Sequence, residues 1–159
     1  MPRVIFMCGP SGAGKTTYAE RLERDGMVRL SFDVEMWRRG IAEVPLPPHL
    51  REEIETDLRA RLLALVAEER DVVLDFSFWS RSMREDYRRL LEATGVVPET
   101  VYLATDRETV LARVRARRGD HRDDYVLSED LAARYFDHFE PPTRDEGPLT
   151  VVRGRETDT

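Results

Sequence analysis

The sequence predicts a single α/β domain, a three-layer sandwich in which a five-stranded parallel sheet carries helices on both faces. Three observations point there. Short β-branched or aromatic runs alternate with helical patterns along the chain, and strands separated by helices pair in parallel through right-handed crossovers. The first such run feeds directly into a glycine-rich turn that opens a helix. At 159 residues the chain has material for one proper core, because a domain of about 150 residues buries roughly 70% of the surface its unfolded chain exposes.

Arg3 to Cys8 is β-branched and aromatic and stops at Gly9, so it reads as a buried first strand. A helix is expected from Thr16 to Arg24, with Ala19 and Leu22 inward and Asp25-Gly26 as its stop. Met27 to Phe32 reads as the second strand. Beyond it, Pro45-Leu46-Pro47-Pro48 cannot sit in a helix interior, so residues 34–50 are expected to form an irregular connection. Ile54, Leu58, Leu62 and Leu65 put one apolar face on a long helix from Arg51 to Arg70. Asp71 to Phe76 is the third strand. Ser82 with Glu85 forms a capping-box pattern for a helix on Met83, Tyr87, Leu90 and Leu91. Thr100 to Ala104 is the fourth strand, and Thr105 with Glu108 is expected to cap a helix on Val110, Leu111 and Val114 that ends near Gly119. Ser128 is the expected cap of a helix through Leu131, Tyr135 and Phe136. Phe139-Glu140-Pro141-Pro142 breaks that helix, and Leu149 to Val152 supplies the fifth strand. One domain therefore spans 1–155, with 156–159 as a tail.

All but one of the 25 basic residues are arginine, the exception being Lys15, and asparagine and glutamine are absent. The 31 acidic residues bring the formal net charge to −6. That balance disfavours a broad nucleic-acid surface while leaving room for a local basic groove. A single cysteine, Cys8, excludes an internal disulfide, and His49, His121 and His138 lack metal-ligand spacing. No apolar run reaches the length of a signal-peptide core or a membrane span. A cytoplasmic protein with no membrane partner, monomer or homodimer, is expected.

The first strand runs into Gly9-Pro10-Ser11-Gly12-Ala13-Gly14-Lys15-Thr16, followed by Thr17. This is a full P-loop pattern, set between a strand and a helix as its mechanism requires. Small residues let several backbone N–H groups face one polyphosphate, and the helix start adds its positive dipole end. Lys15 is expected to reach the β and γ phosphates of ATP, and the Thr16 hydroxyl to ligate Mg²⁺.

Two carboxylates stand at other strand ends. Asp75 closes Val72-Val73-Leu74 and is expected to support Mg²⁺ directly or through water, or else to cap the next turn. Asp33 follows Leu30-Ser31-Phe32, where it is placed to accept a proton from a hydroxyl acceptor, or else to form an Asx turn or N-cap. Guanine recognition by Asn-Lys-x-Asp cannot occur without asparagine, nor can a glutamine orient an attacking water, so a GTPase is disfavoured. A motor would need further domains. Arg113 and Arg117 lie four apart and share a helix face within a lid candidate, 113–128, where guanidinium groups suit phosphate oxygens. Both are expected to touch ATP, or else to be a solvated face. Arg122 is a weaker candidate for the same task. On the acceptor side, Trp37, Arg38, Arg39 and the Phe76-to-Arg81 segment are expected to overhang the cleft, or else to be core and rim.

On these residues the chain resembles the adenylate-kinase-like branch of P-loop kinases, which includes shikimate and gluconate kinases, chloramphenicol phosphotransferase and zeta-toxin-like proteins. The P-loop, Asp33, Val72 to Asp75, the Arg113-to-Arg118 helix and Phe139 to Pro142 carry the likeness, and the last segment with Asp145-Glu146-Gly147 resembles bacterial AAA-type ATP-binding proteins. The resemblance implies a P-loop NTPase fold with strand order 2-3-1-4-5, Mg-ATP as donor, a strand-two aspartate as base and an arginine-bearing lid. An ATP-dependent kinase acting on a small-molecule hydroxyl is expected, of antibiotic, sugar-like or nucleoside class. A polynucleotide 5′-hydroxyl kinase and an ATP-binding regulatory or toxin-like module are the alternatives.

Overall fold

Apolar side chains at every position of Val4–Cys8 make β1 a central strand, buried along its whole length. The computed structural model describes residues 1–10, 13–41, 46–116 and 129–153. Around β1 stand β2 (Val28–Ser31), β3 (Val72–Asp75), β4 (Glu99–Ala104) and β5 (Leu149–Arg153), in the order β2-β3-β1-β4-β5. Every pairing is parallel. The expected five-stranded sheet and its strand order are therefore the ones the chain builds. In such a sheet the crevice at the carboxyl ends, where the chain switches direction beside β1, is the place for a ligand.

Six helices occupy the described connections: α1 (Lys15–Arg24), α2 (Phe32–Arg38), α3 (Pro48–Ala67), α4 (Arg81–Glu92), α5 (Arg107–Ala116) and α6 (Glu129–Asp137). On one sheet face Phe6, Leu30, Val72 and Leu74 pack with Ile54, Leu58 and Leu62 of α3 and Tyr87 and Leu91 of α4. On the other, Met7, Val73 and Leu103 pack with Ala19 of α1 and Val110 of α5. Alternation along each strand sends neighbouring residues to opposite faces, so Val73 and Asp75 lie on the α1 face. None of the helices among the described residues is long and apolar enough to cross a membrane.

Several local expectations are corrected. Residues 34–50 are not wholly irregular, because α2 fills their first part and α3 starts at Pro48. Pro48 at the first helical position costs nothing, since its missing N–H has no partner there anyway. Helix α4 is capped by Ser80, whose hydroxyl accepts from Met83 N at 3.1 Å, and not by Ser82. Glu85, the other half of the expected box, instead accepts from Arg81 Nε at 3.0 Å. Helix α5 is capped by Asp106, which accepts from Thr109 N at 2.8 Å, and not by Thr105. The expected cap Ser128 and the helix end near Gly119 lie outside the described residues.

Candidate functional site

The turn after β1 is held from three sides. Gly9 N donates to Ser77 O at 3.1 Å, and Ala13 N closes back on Pro10 O at 3.0 Å. Thr105 Oγ1 donates to Ala13 O at 2.8 Å, which explains why this hydroxyl is turned inward rather than capping α5. A Cβ at Gly9 would stand 3.2 Å from Ala13 Cβ, closer than ordinary contact, so glycine lets strand and turn close together without a shift. Gly14 takes the left-handed conformation, φ 99°, and stands as the residue before α1. Gly14 has no side chain with which to cap α1, and the first turn of α1 holds no acidic residue. N–H groups at such a helix start can face an anion. Lys15 is buried at the start of α1. Pro10, Thr16 and Thr17 occupy the loop and first turn as expected, while Ser11 and Gly12 lie outside the described residues.

Asp75 ends β3 in register with Ser31 of β2. Its carboxylate is buried and receives three donors on one oxygen: Thr16 Oγ1 at 3.2 Å, Arg29 Nε at 3.1 Å and Arg29 Nη2 at 2.8 Å, all on Oδ2. Oδ1 is buried with no hydrogen-bond partner among the described residues. An orphaned carboxylate oxygen beside a P-loop hydroxyl suits a hard divalent cation that also takes water and phosphate oxygens. Among the described residues no group of three or more His, Cys, Asp or Glu could hold a metal by itself.

Asp33 does not end the second strand. It lies in the first turn of α2, partly buried, one residue after Phe32. The cap of α2 is Ser31, whose hydroxyl accepts from Val34 N at 3.2 Å, so Asp33 is not needed as one. Trp37, four residues on, shares its helix face, and Trp37 and Trp79 are among the few exposed large apolar side chains, at 49% and 46%. Arg38 and Arg81 are already countered within the chain. Arg38 pairs with Glu35 at 3.3 Å, and Arg81 with Glu85 at 3.0 Å and Asp145 at 3.1 Å. Arg113 sits in the last turn of α5, half-buried. Arg117 and Arg122, with most of the lid candidate, fall outside the described residues.

Two buried arginines escaped the sequence reading. Arg29 is one. Arg84 of α4 is the other, fully buried, with Nη1 donating to Phe78 O at 2.7 Å and Nε to Glu146 Oε1 at 2.7 Å. Arg84 Nη2 also donates to Glu146 Oε2 at 3.3 Å, and Arg88 adds a contact to Glu146 at 3.4 Å. Burial alone would raise the Glu146 pKa, but the Arg84 hydrogen bonds, the Thr143 N–H and the charges of Arg84 and Arg88 outweigh it and bring it down to about 2. Phe78 itself takes a left-handed backbone, φ 48°, and its carbonyl also accepts from Cys8 Sγ at 3.4 Å. Burial pushes that thiol up to about 12, so Cys8 is an inert packing group. A signal for Arg84 existed. It precedes Tyr87 by three and Leu91 by seven, the inward stripe of α4.

A glycine-rich turn from a central parallel strand, a lysine and a hydroxyl opening the next helix, and a buried carboxylate on the adjacent strand define a P-loop nucleotide-binding protein of the kinase fold. A family model described as AAA domain matches residues 4–142, and the chain belongs to that family. It is 28% identical over 96% of its length to a Schizosaccharomyces pombe protein named as a probable gluconokinase, of which it covers 82%. Among solved structures it is similar to a sugar kinase from Janibacter sp. HTCC2649, with TM-score 0.70 and 21% identity over 98% of this chain and 87% of that one. It is also similar to a chain of the Pnkp1/Rnl/Hen1 RNA repair complex, with TM-score 0.75 and 18% identity, covering 86% of this chain and 43% of that one.

Proposed function

We propose that the chain is an ATP- and Mg²⁺-dependent phosphotransferase that phosphorylates a hydroxyl of a small molecule of the sugar class. The observation that carries this is the convergence of three strand ends. The P-loop follows β1, Asp33 follows β2, and Asp75 ends β3 with the Thr16 hydroxyl on its carboxylate at 3.2 Å. Likeness to proteins named as gluconokinase and sugar kinase supports the acceptor class.

Backbone N–H groups of Gly14 to Thr17 and the ammonium of Lys15 bind and orient the β and γ phosphates. Thr16 and Asp75 would hold Mg²⁺, which when bound neutralises charge on the phosphate oxygens. Asp33 takes the proton of the acceptor hydroxyl as its oxygen bonds to the γ phosphorus, the bond to the β-phosphate oxygen breaks and ADP departs. Arg113 and Arg117 are assigned to clamp the phosphates, since planar guanidinium donors match their geometry. Trp37 and Trp79 are assigned as apolar walls for the acceptor ring.

Acceptor-stimulated ADP release tests the proposal. Gluconate, other sugar acids, neutral sugars and a 5′-hydroxyl oligoribonucleotide are compared with no acceptor. A member of the sugar panel should raise the rate well above background. Stimulation by the oligonucleotide alone would move the chain to polynucleotide kinases. Binding of ATP with no stimulation by any acceptor, and no effect of Asp33→Ala on function, would make it a nucleotide-binding module.

A further inference from the structure

The carboxylate at the end of β3 is held in an unusual way. Arg29 stands on β2 in register with Val73, two pairs behind the Ser31–Asp75 pair. Register partners in a parallel sheet point to the same face, so Arg29 lies on the α1 side and reaches forward along it to the strand end. Its guanidinium and the Asp75 carboxylate are 3% and 2% exposed. Two guanidinium nitrogens and the Thr16 hydroxyl all fall on Oδ2, while Oδ1 has no partner among the described residues. A buried ion pair is a poor way to stabilise a fold, because desolvation of both ions offsets most of their attraction. Here the pair adjoins the first residues of the helix that follows the P-loop.

We propose that Arg29 is a positioning residue for the metal-holding carboxylate: it ties down Asp75 Oδ2, leaves Oδ1 as the oxygen open to the metal or its water, and cancels the charge that would otherwise bind a bare divalent cation. This rests on the donor-site reading above. Three donors converging on Oδ2 fix where that oxygen stands, and with it the place of Oδ1. The positive charge matters equally. With Arg29 in place the buried pair is neutral, so Mg²⁺ gains little by entering alone and enters with the phosphates of the nucleotide. Without Arg29 the Asp75 carboxylate loses the guanidinium bonded to it and draws the ion more strongly.

The test is calorimetric titration of MgCl₂ into the full chain without nucleotide. Arg29→Gln should bind Mg²⁺ at least about tenfold more tightly than the wild type, and adding Asp75→Asn should abolish that gain. A purely structural arginine would not move this affinity upward, so unchanged or weaker binding by folded Arg29→Gln overturns the proposal. Should that variant fail to fold, Arg29→Lys keeps the charge but loses the two-point hold. It should leave nucleotide-free affinity within about threefold of wild type and raise about threefold or more the Mg²⁺ needed for half-maximal binding of a fluorescent ATP analogue. No change in that requirement overturns the proposal equally. Failure of the wild type to bind ATP at all would instead sink the donor-site reading, and the nucleotide-free titration would still report on Arg29.

Discussion

The half of the cleft built on β1, β3 and α1, braced by α4, and the half built on α2, α3 and the exposed Trp79 are put together differently. In the first, polar groups are buried and held by partners distant in the chain. Thr105 reaches Ala13, Thr16 and Arg29 reach Asp75, and Arg84 ties Phe78 to Glu146. In the second, exposed pairs a turn apart predominate, such as Arg38 and Glu35 or Arg39 and Glu35, and two tryptophans stand open to solvent. Buried, cross-linked polar groups give a preorganised site, whereas exposed pairs contribute little rigidity. Under the proposed function, donor chemistry, the same for every acceptor, falls in the rigid half. Acceptor choice then falls in the half that can change its side chains without disturbing the sheet.

Substitutions can break this contrast. The largest effect is expected where the halves meet. Asp33→Ala should lower turnover by at least about 10² while ATP affinity, followed by a fluorescent analogue, stays the same; equal loss of both would place Asp33 on the donor side. Lys15→Met should show the opposite split, with ATP binding lost.

Next comes the buried network of the rigid half. Glu146→Gln leaves the Arg84 charge uncompensated and should cost about 3–5 kcal/mol in urea unfolding. The pH dependence has a definite sign. Because the folded pKa of Glu146 lies near 2, below its ordinary 4.5, its contribution is complete above about pH 4.5 and is lost as pH falls toward 2. Over that window the wild type should lose about 3 kcal/mol that Glu146→Gln does not.

A smaller and more selective effect belongs to the open half. Trp37→Ala and Trp79→Ala should each raise the acceptor KM about three- to tenfold with the ATP KM unchanged. Smallest is Thr105→Val, which removes one hydrogen bond under the P-loop. It should cost about 1 kcal/mol of stability and weaken ATP without touching acceptor KM, the mirror image of the tryptophan result.

Legibility in the sequence follows the same division. The P-loop could be read because its spacing is contiguous and its flanking strand and helix have distinct periods. Asp75 could be read because it closes an apolar run. Helix α2 could not, since its seven residues are too few for a helical period to emerge after a β-rich run. Ser80 and Ser82, like Thr105 and Asp106, offered two capping residues within two positions. Only the direction of the neighbouring chain chose between them. In a chain where nearly every positive charge is an arginine, Arg29 and Arg84 carried no compositional mark that set them apart from surface charges.

The alternation of strands and helices, the place of the phosphate loop and the unique lysine within it are properties of local spacing, and the sequence alone determines them. Which partners the inward arginines take, which oxygen of Asp75 remains open and which hydroxyl braces the loop were decided only by the folded sheet. The partners of those contacts lie 46, 62 and 92 residues apart. No periodicity links positions so distant; they meet because parallel strands bring their carboxyl ends to one edge, where burial makes each unpaired charge costly enough to select its partner.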